Sequence, residues 1–554
     1  MRLRMIKYKI ATDLNDCLVN LKLKTNDKYM IETPANDEFG DYSTNLAMVL
    51  AKLNKTKPYE LAEKVCAELR KNKDYKLVEI AGPGFINMTL NTSVYQRSLK
   101  EVIDKNDSWG SSDSGKGKKI LLEFVSANPT GPLNIVSARA AAFGDSLYRV
   151  MKFVGYDALR EFYINDAGNQ VDILAESLEL RLREMHGENI GEFPFEAYHG
   201  DYVKDLAHKL NSLEGSRVLL MADRERTEHL KDFALEQIHD MQVKSLEKYG
   251  VFFDSWVSEK TLRQQGVVEE VLSYLAEADC TYEKEDAIWF CSSKFGDDKD
   301  RVLMKADGSI TYFVPDLAYH LTKYQRSFDV MIDVLGPDHH GYVPRLKAAI
   351  HALNYPEEKL EIIFLQQVNL FDSGEKVKMS KRLGTIVTMD DLVDYVGPDA
   401  ARYFFIDRRP NSHLNFDIEL AKKKSNENPV FYCQYAHARI CSILKKAKKD
   451  KVTLKDLSQE MLKKLTKPEE LTIIKKLLEF PSLLVSIAES REPHRLAGYA
   501  YDLASLFHRY YAKYVIVNKS SLVLSMARLY LIMAVKNVLA ISFNLMGISA
   551  PEKM

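Results

Sequence analysis

Two short stretches of the chain carry residue types suited to a polyanion. In G-E-K-V-K-M-S-K-R-L-G, residues 374–384, Lys376, Lys378, Lys381 and Arg382 crowd between Gly374 and Gly384. Several cations on a pliable backbone can wrap a polyphosphate and offset the charge that develops as its α-phosphate is displaced. The order Lys378-Met379-Ser380-Lys381 sets this run apart from an ordinary solvated basic turn. The second stretch, A-N-P-T-G-P-L-N-I-V-S at 127–137, packs two prolines and a glycine into four positions, then runs into an alanine-rich helix expected to begin near Leu133. Unpaired N–H groups and the positive end of the helix dipole attract phosphates at such a junction. A Gly/Pro turn of this kind also precedes many helices that bind nothing.

Both stretches need elements to hold them. From Ile120 to about Arg409, I-L-L-E-F-V, L-R-E-F-Y-I, V-M-I-D-V-L and L-E-I-I-F-L read as buried strands, each followed by a loop or a helical pattern. This alternation predicts a doubly wound, Rossmann-like parallel sheet. Glu123 falls toward the end of the first strand, so the 127–137 loop belongs at the carboxyl edge of the sheet, where this architecture binds ligands. Long charged helical patterns from Val171 to about Ala278 predict a helical insertion over about 171–278. In the first hundred residues, Leu46, Val49, Leu50 and Leu53 form a helical stripe with Asp41 or Ser43 as its cap, and K-L-V-E-I-A-G-P-G-F-I-N-M-T-L predicts two strands around a Gly-Pro-Gly turn. Beyond Asn426 only helical stripes recur, which predicts an all-α bundle. The expected organisation is a small N-terminal α+β domain over 1–108, the sheet domain over 109–417 and the bundle over 418–554.

With 554 residues, 46% hydrophobic and 28% charged, the chain has the composition of a soluble multidomain protein. No signal-like N-terminal run and no eighteen-residue apolar stretch are read, so a cytoplasmic protein without a membrane partner is expected. Cys17, Cys66, Cys280, Cys291, Cys433 and Cys441 are scattered without a C-x-x-C pair, which points to buried free thiols and to no metal site. Nothing in the sequence demands more than a monomer. Charge is uneven: residues 418–554 hold 23 Lys and Arg against 12 Asp and Glu, a net of +11, whereas the preceding residues hold 54 against 66, a net of −12. A basic C-terminal module on an acidic body suggests a polyanionic partner at that end.

K-M-S-K-R at 378–382, following a sheet domain, resembles the second signature of class I aminoacyl-tRNA synthetases, and the 127–137 loop stands where the first belongs. Within that class the chain resembles the arginyl-tRNA synthetases over nearly its whole length. E-F-V-S-A-N-P-T-G-P-L, E-F-Y-I-N-D-A-G-N-Q, Y-F-V-P-D-L-A-Y-H-L, G-P-D-H-H-G-Y-V-P-R, F-Y-C-Q-Y-A-H-A-R-I and G-I-S-A-P-E-K-M follow the family's order, as do F-G-D-Y-S-T-N and A-G-P-G-F-I-N. The resemblance implies formation of arginyl-adenylate from L-arginine and ATP, with Mg2+ accompanying ATP and no tightly bound cofactor. It implies transfer of the arginyl group to tRNA(Arg), usually with tRNA needed for the first step, and no role for DNA. By similarity, Asp316 takes the guanidinium, Glu123 and Asn128 the arginine end groups, and Tyr312 packs on the side chain; His339 also matches a pocket position. A guanidinium favours carboxylates and planar acceptors in forked geometry, which these residue types offer. Lys378, Ser380 and Lys381 would serve ATP. For tRNA, the family's anticodon-binding bundle points to Tyr435, His437 and Arg439 with Tyr510, Tyr511 and Lys513, and its elbow-binding N-terminal domain points to Phe85 and Asn87.

The first signature departs from the family. Its region here reads Ala127, Asn128, Pro129, Thr130, Gly131, Pro132, Leu133, Asn134, Ile135, Val136 and Ser137, where the family has Pro-Leu-His-Val-Gly-His at the end. Both histidines and the intervening glycine are absent. Asn134 and Ser137 retain neutral donors, and Val136 places a branched side chain where adenine would lie. Two functions stay open on this basis. One is a working ligase in which Asn134, Ser137, helix-end amides and the lysine loop carry ATP; the other is a synthetase-like protein that binds tRNA or arginine without ligase activity.

Overall fold

The sheet that carries the site is built from five parallel strands: β1 (Lys119–Glu123), β2 (Asp157–Ile164), β3 (Ser255–Ser258), β4 (Val330–Leu335) and β5 (Leu360–Phe364). Their order is β5-β4-β1-β2-β3, so the winding reverses between β1 and β4 and opens a crevice at the carboxyl ends there. The structure is a computed structural model describing residues 6–26, 28–34, 36–377, 388–450, 452 and 457–554. Ile120, Leu121 and Leu122 of β1 are all buried, as expected of a central strand covered on both faces. Register places Asp333, Glu123 and Glu161 side by side on β4, β1 and β2. Residues at one pleat level point to one face, so three carboxylates meet there.

Helix α1 (Ile135–Phe153) follows β1. The segment read as a helical insertion over 171–278 is interrupted by one short strand and is helical again over 259–264 and 267–277. It is helical through α2 (Asn169–Met185), α3 (Asp201–Glu214) and α4 (Asp223–Lys248), but residues 255–258 return to the sheet as β3. Four half-buried residues at a sheet edge between charged helices leave little hydrophobic pattern to read. The three helices share a core of their own, including Leu178, Leu206, Leu230 and Ile238. A three-stranded antiparallel sheet over 281–304 then precedes α5 (Phe313–Gln325).

The N-terminal unit has a four-stranded sheet whose last strands, 75–81 and 85–90, flank the expected Gly-Pro-Gly turn. Neither Asp41 nor Ser43 caps the helix at Leu46–Leu50, which is a correction. Asp41 accepts from the Leu90 amide and Ser43 lies in a strand, its hydroxyl donating to Asn87. After α6 (Met389–Val396) and α7 (Pro398–Ile406), the chain forms a bundle of α8 (Pro429–Lys449), α9 (Pro468–Ser490), α10 (His494–Lys513) and α11 (Leu522–Met546). Helix α11 corrects the expectation of no long apolar stretch, since it is long and apolar enough to cross a bilayer. Of its most apolar window, 78% is buried inside the protein, so its apolarity serves the bundle core. Arg402 of α7 joins the bundle to the sheet domain: fully buried, it donates to Asp145 of α1 and to the carbonyls of Tyr249 and Met546. All six cysteines are buried free thiols.

Candidate active site

The chain leaves β1 through a strained turn. The Ser126 amide donates to the Phe124 carbonyl at 3.0 Å around Val125, whose φ is +71°. This is a γ-turn with positive φ at its centre, and for a β-branched residue it is an unusual conformation. Ser126, also at positive φ, donates its hydroxyl to Glu123 and accepts from the Tyr163 amide of β2. The turn aims Asn128 into the crevice side of the sheet edge, where Asn128 is exposed and its amide donates to Gln170 of α2 at 2.8 Å.

The row of carboxylates beneath the crevice is neutralised almost entirely by α5. Lys323, with no exposed surface, donates to both Glu123 and Asp333, while Arg326 forms a forked pair with Glu161 that Tyr319 completes at 2.9 Å. His320 reaches the Asp316 carbonyl with Nδ1 at 2.7 Å and Asp333 with Nε2 at 2.8 Å. Both partners are pure acceptors, so both ring nitrogens donate and the imidazole is held as a cation. Burial opposes that charge and so does Lys323, but Asp316 and Asp333 outweigh them and raise its pKa. Burial also works against Asp333, yet Lys323 and His320 hold it down at about 2. Glu123 is pushed upward, by burial first and by Asp333 beside it. Glu123 was expected at the arginine end groups; in the structure one oxygen accepts from Ser126 and the other from Lys323, which makes it an anchor for α5.

That anchoring fixes the first turn of α5. Asp316 keeps 28% of its side chain exposed while one oxygen accepts from the Tyr342 hydroxyl. Burial and Asp316 both raise the Tyr342 phenol, which therefore stays a donor. Tyr312 sits just before the helix, 69% exposed, with Gly168 beside its ring. His339 is exposed and meets the Tyr342 ring edge-on at 6.4 Å. Asn128, Tyr312, Asp316 and His339 thus keep surface at this edge, Asp316 and His339 both meet Tyr342, and Tyr342 with the buried Lys323 and His320 beneath are members that the sequence reading missed. Tyr342 stands two residues beyond H-H in the quoted G-P-D-H-H-G-Y, and that adjacency was the available signal.

On the other side of β1, Asn134 is the cap of α1 rather than part of its first turn. Its Oδ1 accepts from the Ser137 amide at 2.9 Å and from the Ser137 hydroxyl at 3.2 Å. Ser137 is buried and its hydroxyl turns toward this cap, whereas Asn134 is exposed and Val136 half-buried. Among the described residues the Asn134 amide nitrogen has no partner. Further along α1, the buried Arg139 donates to the carbonyls of Gln366, Arg409, Pro410 and Ser412, and burial lowers its pKa to about 10. The approach to the lysine loop is a two-residue hairpin, with Ser373 and Gly374 both at positive φ and Lys376 exposed. Lys378, Ser380, Lys381 and Arg382 lie outside the described residues. Beyond that loop, the Met389 amide donates to the Leu133 carbonyl at 2.8 Å and Thr388 bridges to Asn134. The first signature stretch therefore touches the residues that follow the second.

Of the residues expected to meet tRNA, Tyr435, Arg439 and Tyr511 come together on the bundle. The Arg439 guanidinium lies over both rings, at 4.8 and 5.0 Å. His437 and Tyr510 are corrected to interior positions: His437 bonds to the Pro551 carbonyl and Tyr510 donates to Glu470. Positions 435 and 439 are one helical turn apart, and 437 falls on the opposite face. Lys513 pairs with Glu469. Phe85 is exposed at the start of its strand, while Asn87 accepts from Ser43.

Comparison with known proteins agrees with this architecture. Residues 5–90 match the arginyl tRNA synthetase N terminal domain, 98–423 the catalytic domain of class I (R) tRNA synthetases, and 433–554 the DALR anticodon binding domain. The chain is 44% identical to the arginine–tRNA ligase of Syntrophotalea carbinolica over the full length of both, and 42% identical to that of Shouchella clausii over 99% of each. The arginyl-tRNA synthetase of Thermus thermophilus shares the fold with a TM-score of 0.75, at 21% identity over 99% of this chain and all of that one. A catalytic-domain match over more than half the chain, flanked by both accessory domains and seated on a crevice with a carboxylate at its mouth, places this chain in the arginyl-tRNA synthetase family of class I ligases.

Proposed function

We propose that this arginine–tRNA ligase seats the guanidinium of arginine against Asp316, with Tyr312 over its aliphatic part and Asn128 at its amino-acid end. The observation that carries this assignment is Asp316 itself. It is a half-open carboxylate at the switch-point crevice, held by Tyr342 on a helix pinned through Lys323 and Arg326. A preformed carboxylate costs little reorganisation when a cation arrives. His339 closes the same mouth.

ATP is proposed to lie across β1 from arginine, its phosphates near the start of α1. Helix-end amides and the amide nitrogen of Asn134 act as donors there, with Lys378, Ser380 and Lys381 supplying the cationic side and Mg2+ arriving with ATP as part of the substrate. Ser137 then contributes through Asn134, since its hydroxyl is committed to the cap. The arginine carboxylate attacks the α-phosphorus and pyrophosphate leaves. A hydroxyl of the terminal tRNA adenosine next attacks the arginyl carbonyl and AMP leaves. The stacked Tyr435, Arg439 and Tyr511 offer aromatic and guanidinium faces to unpaired anticodon bases, and Phe85 with Asn87 touches the tRNA elbow. Work as a monomer in the cytoplasm completes the proposal.

The test is charging of tRNA(Arg) with labelled arginine. Turnover dependent on ATP is expected. Charging at background, with arginine and tRNA still bound, would establish the synthetase-like binding protein instead.

A further inference from the structure

Helix α4 carries a buried stripe of Leu230, Ala234 and Ile238 at four-residue spacing, and the next position in that series is Gln242. A buried amide in an apolar series has to be satisfied. Gln242 spends both of its N–H groups on the first-signature loop, donating to the Asn128 carbonyl at 3.1 Å and the Gly131 carbonyl at 2.9 Å. That loop has few bonds of its own to make, because Pro129 and Pro132 lack N–H groups. Tyr202 of α3 adds a third grip, donating to the Thr130 carbonyl at 2.6 Å with its ring over Gly131.

The same edge of α4 reaches the other signature. Three residues beyond Gln242, the Ser245 hydroxyl donates to Asp390, and three further on Lys248 pairs with Asp394 at 2.6 Å and Asp390 at 3.7 Å. Asp390 and Asp394 belong to α6, the first element after the lysine loop. One helix of the insertion therefore holds carbonyls of the first signature and carboxylates that follow the second.

We propose that Gln242 is a positioning residue for the ATP half of the site, with Ser245 and Lys248 as its counterparts, so that α4 sets the spacing between the first signature loop and α6, which follows the second. The inference rests on the arginine-charging assignment, and wild-type charging in the same assays tests that assignment separately. No wild-type charging would overturn both.

The experiment is ATP–pyrophosphate exchange with arginine and tRNA(Arg), normalised by active-site titration, on Gln242→Met, Ser245→Ala and Ser245→Thr. Gln242→Met keeps the volume and removes both donors. An ångström of misplacement can cost on the order of a hundredfold, and kcat per active site is expected to fall by about ten- to a hundredfold with a rise in KM for ATP. The Kd for tRNA should stay within about twofold. Ser245→Ala should lose roughly three- to fivefold and Ser245→Thr should restore it. A Gln242→Met enzyme with wild-type kinetics per titrated site overturns the inference, as does a loss wholly accounted for by fewer titrated sites. Should Gln242→Met fail to fold, the Ser245 pair decides: equal activity of Ala and Thr variants counts against the role.

Discussion

The two halves of the site are held by different physics. On the arginine side, α5 is fastened to the sheet by Lys323, His320, Arg326 and Tyr319 against three buried carboxylates, an arrangement in which each charge depends on its partner. On the ATP side, a loop with two prolines is gripped by two hydrogen bonds from Gln242 and one each from Tyr202 and the Met389 amide. The first half is held by buried charges that compensate one another; the first-signature loop of the second is held by neutral donors. The departure from the family's histidines falls in the second half, where one donor can stand in for another.

The largest effect should come from breaking the first half. Lys323→Met leaves Glu123 buried without its cation and Asp333 beside it with His320 alone, and removing one partner of a buried pair costs about 3–5 kcal/mol. A large fall in the denaturation midpoint is expected, together with weakened arginine binding as the first turn of α5 loosens around Asp316. If stability changes little while arginine affinity holds, the contrast between the halves fails.

A pH series sharpens the contrast next. The folded pKa of His320 is raised, so its contribution to stability is fully present below the unfolded value of about 6.5. It is lost as pH climbs through the folded value. The wild type should therefore lose stability as the pH climbs above about 6.5, and His320→Gln should flatten that slope when melting is followed at a series of pH values. Asp333 works with the opposite sign: held at about 2, it contributes above the ordinary carboxylate range and fails only in strong acid. An identical alkaline slope in the variant would remove His320 from the account.

How much of this was legible in the sequence follows the same division. The strands announced themselves as runs such as I-L-L-E-F-V, because a strand covered on both faces needs no alternation. Asp316, Asn128 and the lysine loop stand in quotable motifs. Lys323 and Arg326 do not: Lys323 is one lysine in a helix, and its partner Glu123 is 200 residues away. Only register, which aligns Asp333, Glu123 and Glu161, makes a cation there necessary. Strand β3 was hidden for want of length. The apolar length of α11 was hidden because Arg528 and Lys536 interrupt it, although both are single charges in a helix of 25 residues.

The smallest effect tests the ATP half, through the double duty assigned to Asn134. Its oxygen caps α1 and its amide nitrogen is proposed to meet phosphate, so two substitutions separate the roles. Asp caps as well as Asn does, and its charge suits the positive helix end. Asn134→Asp should thus melt within about 0.5 kcal/mol of the wild type. It removes the donor, however, and sets a negative charge toward the phosphates, so KM for ATP should rise on the order of tenfold or more. Asn134→Ala loses the cap at about 1 kcal/mol and the donor without adding repulsion, so its KM for ATP should rise only a few fold. Charging kinetics and melting of both variants check the pair. If Asn134→Asp leaves ATP handling within twofold of the wild type, Asn134 is a cap alone, and the phosphates are served by backbone amides and the lysine loop.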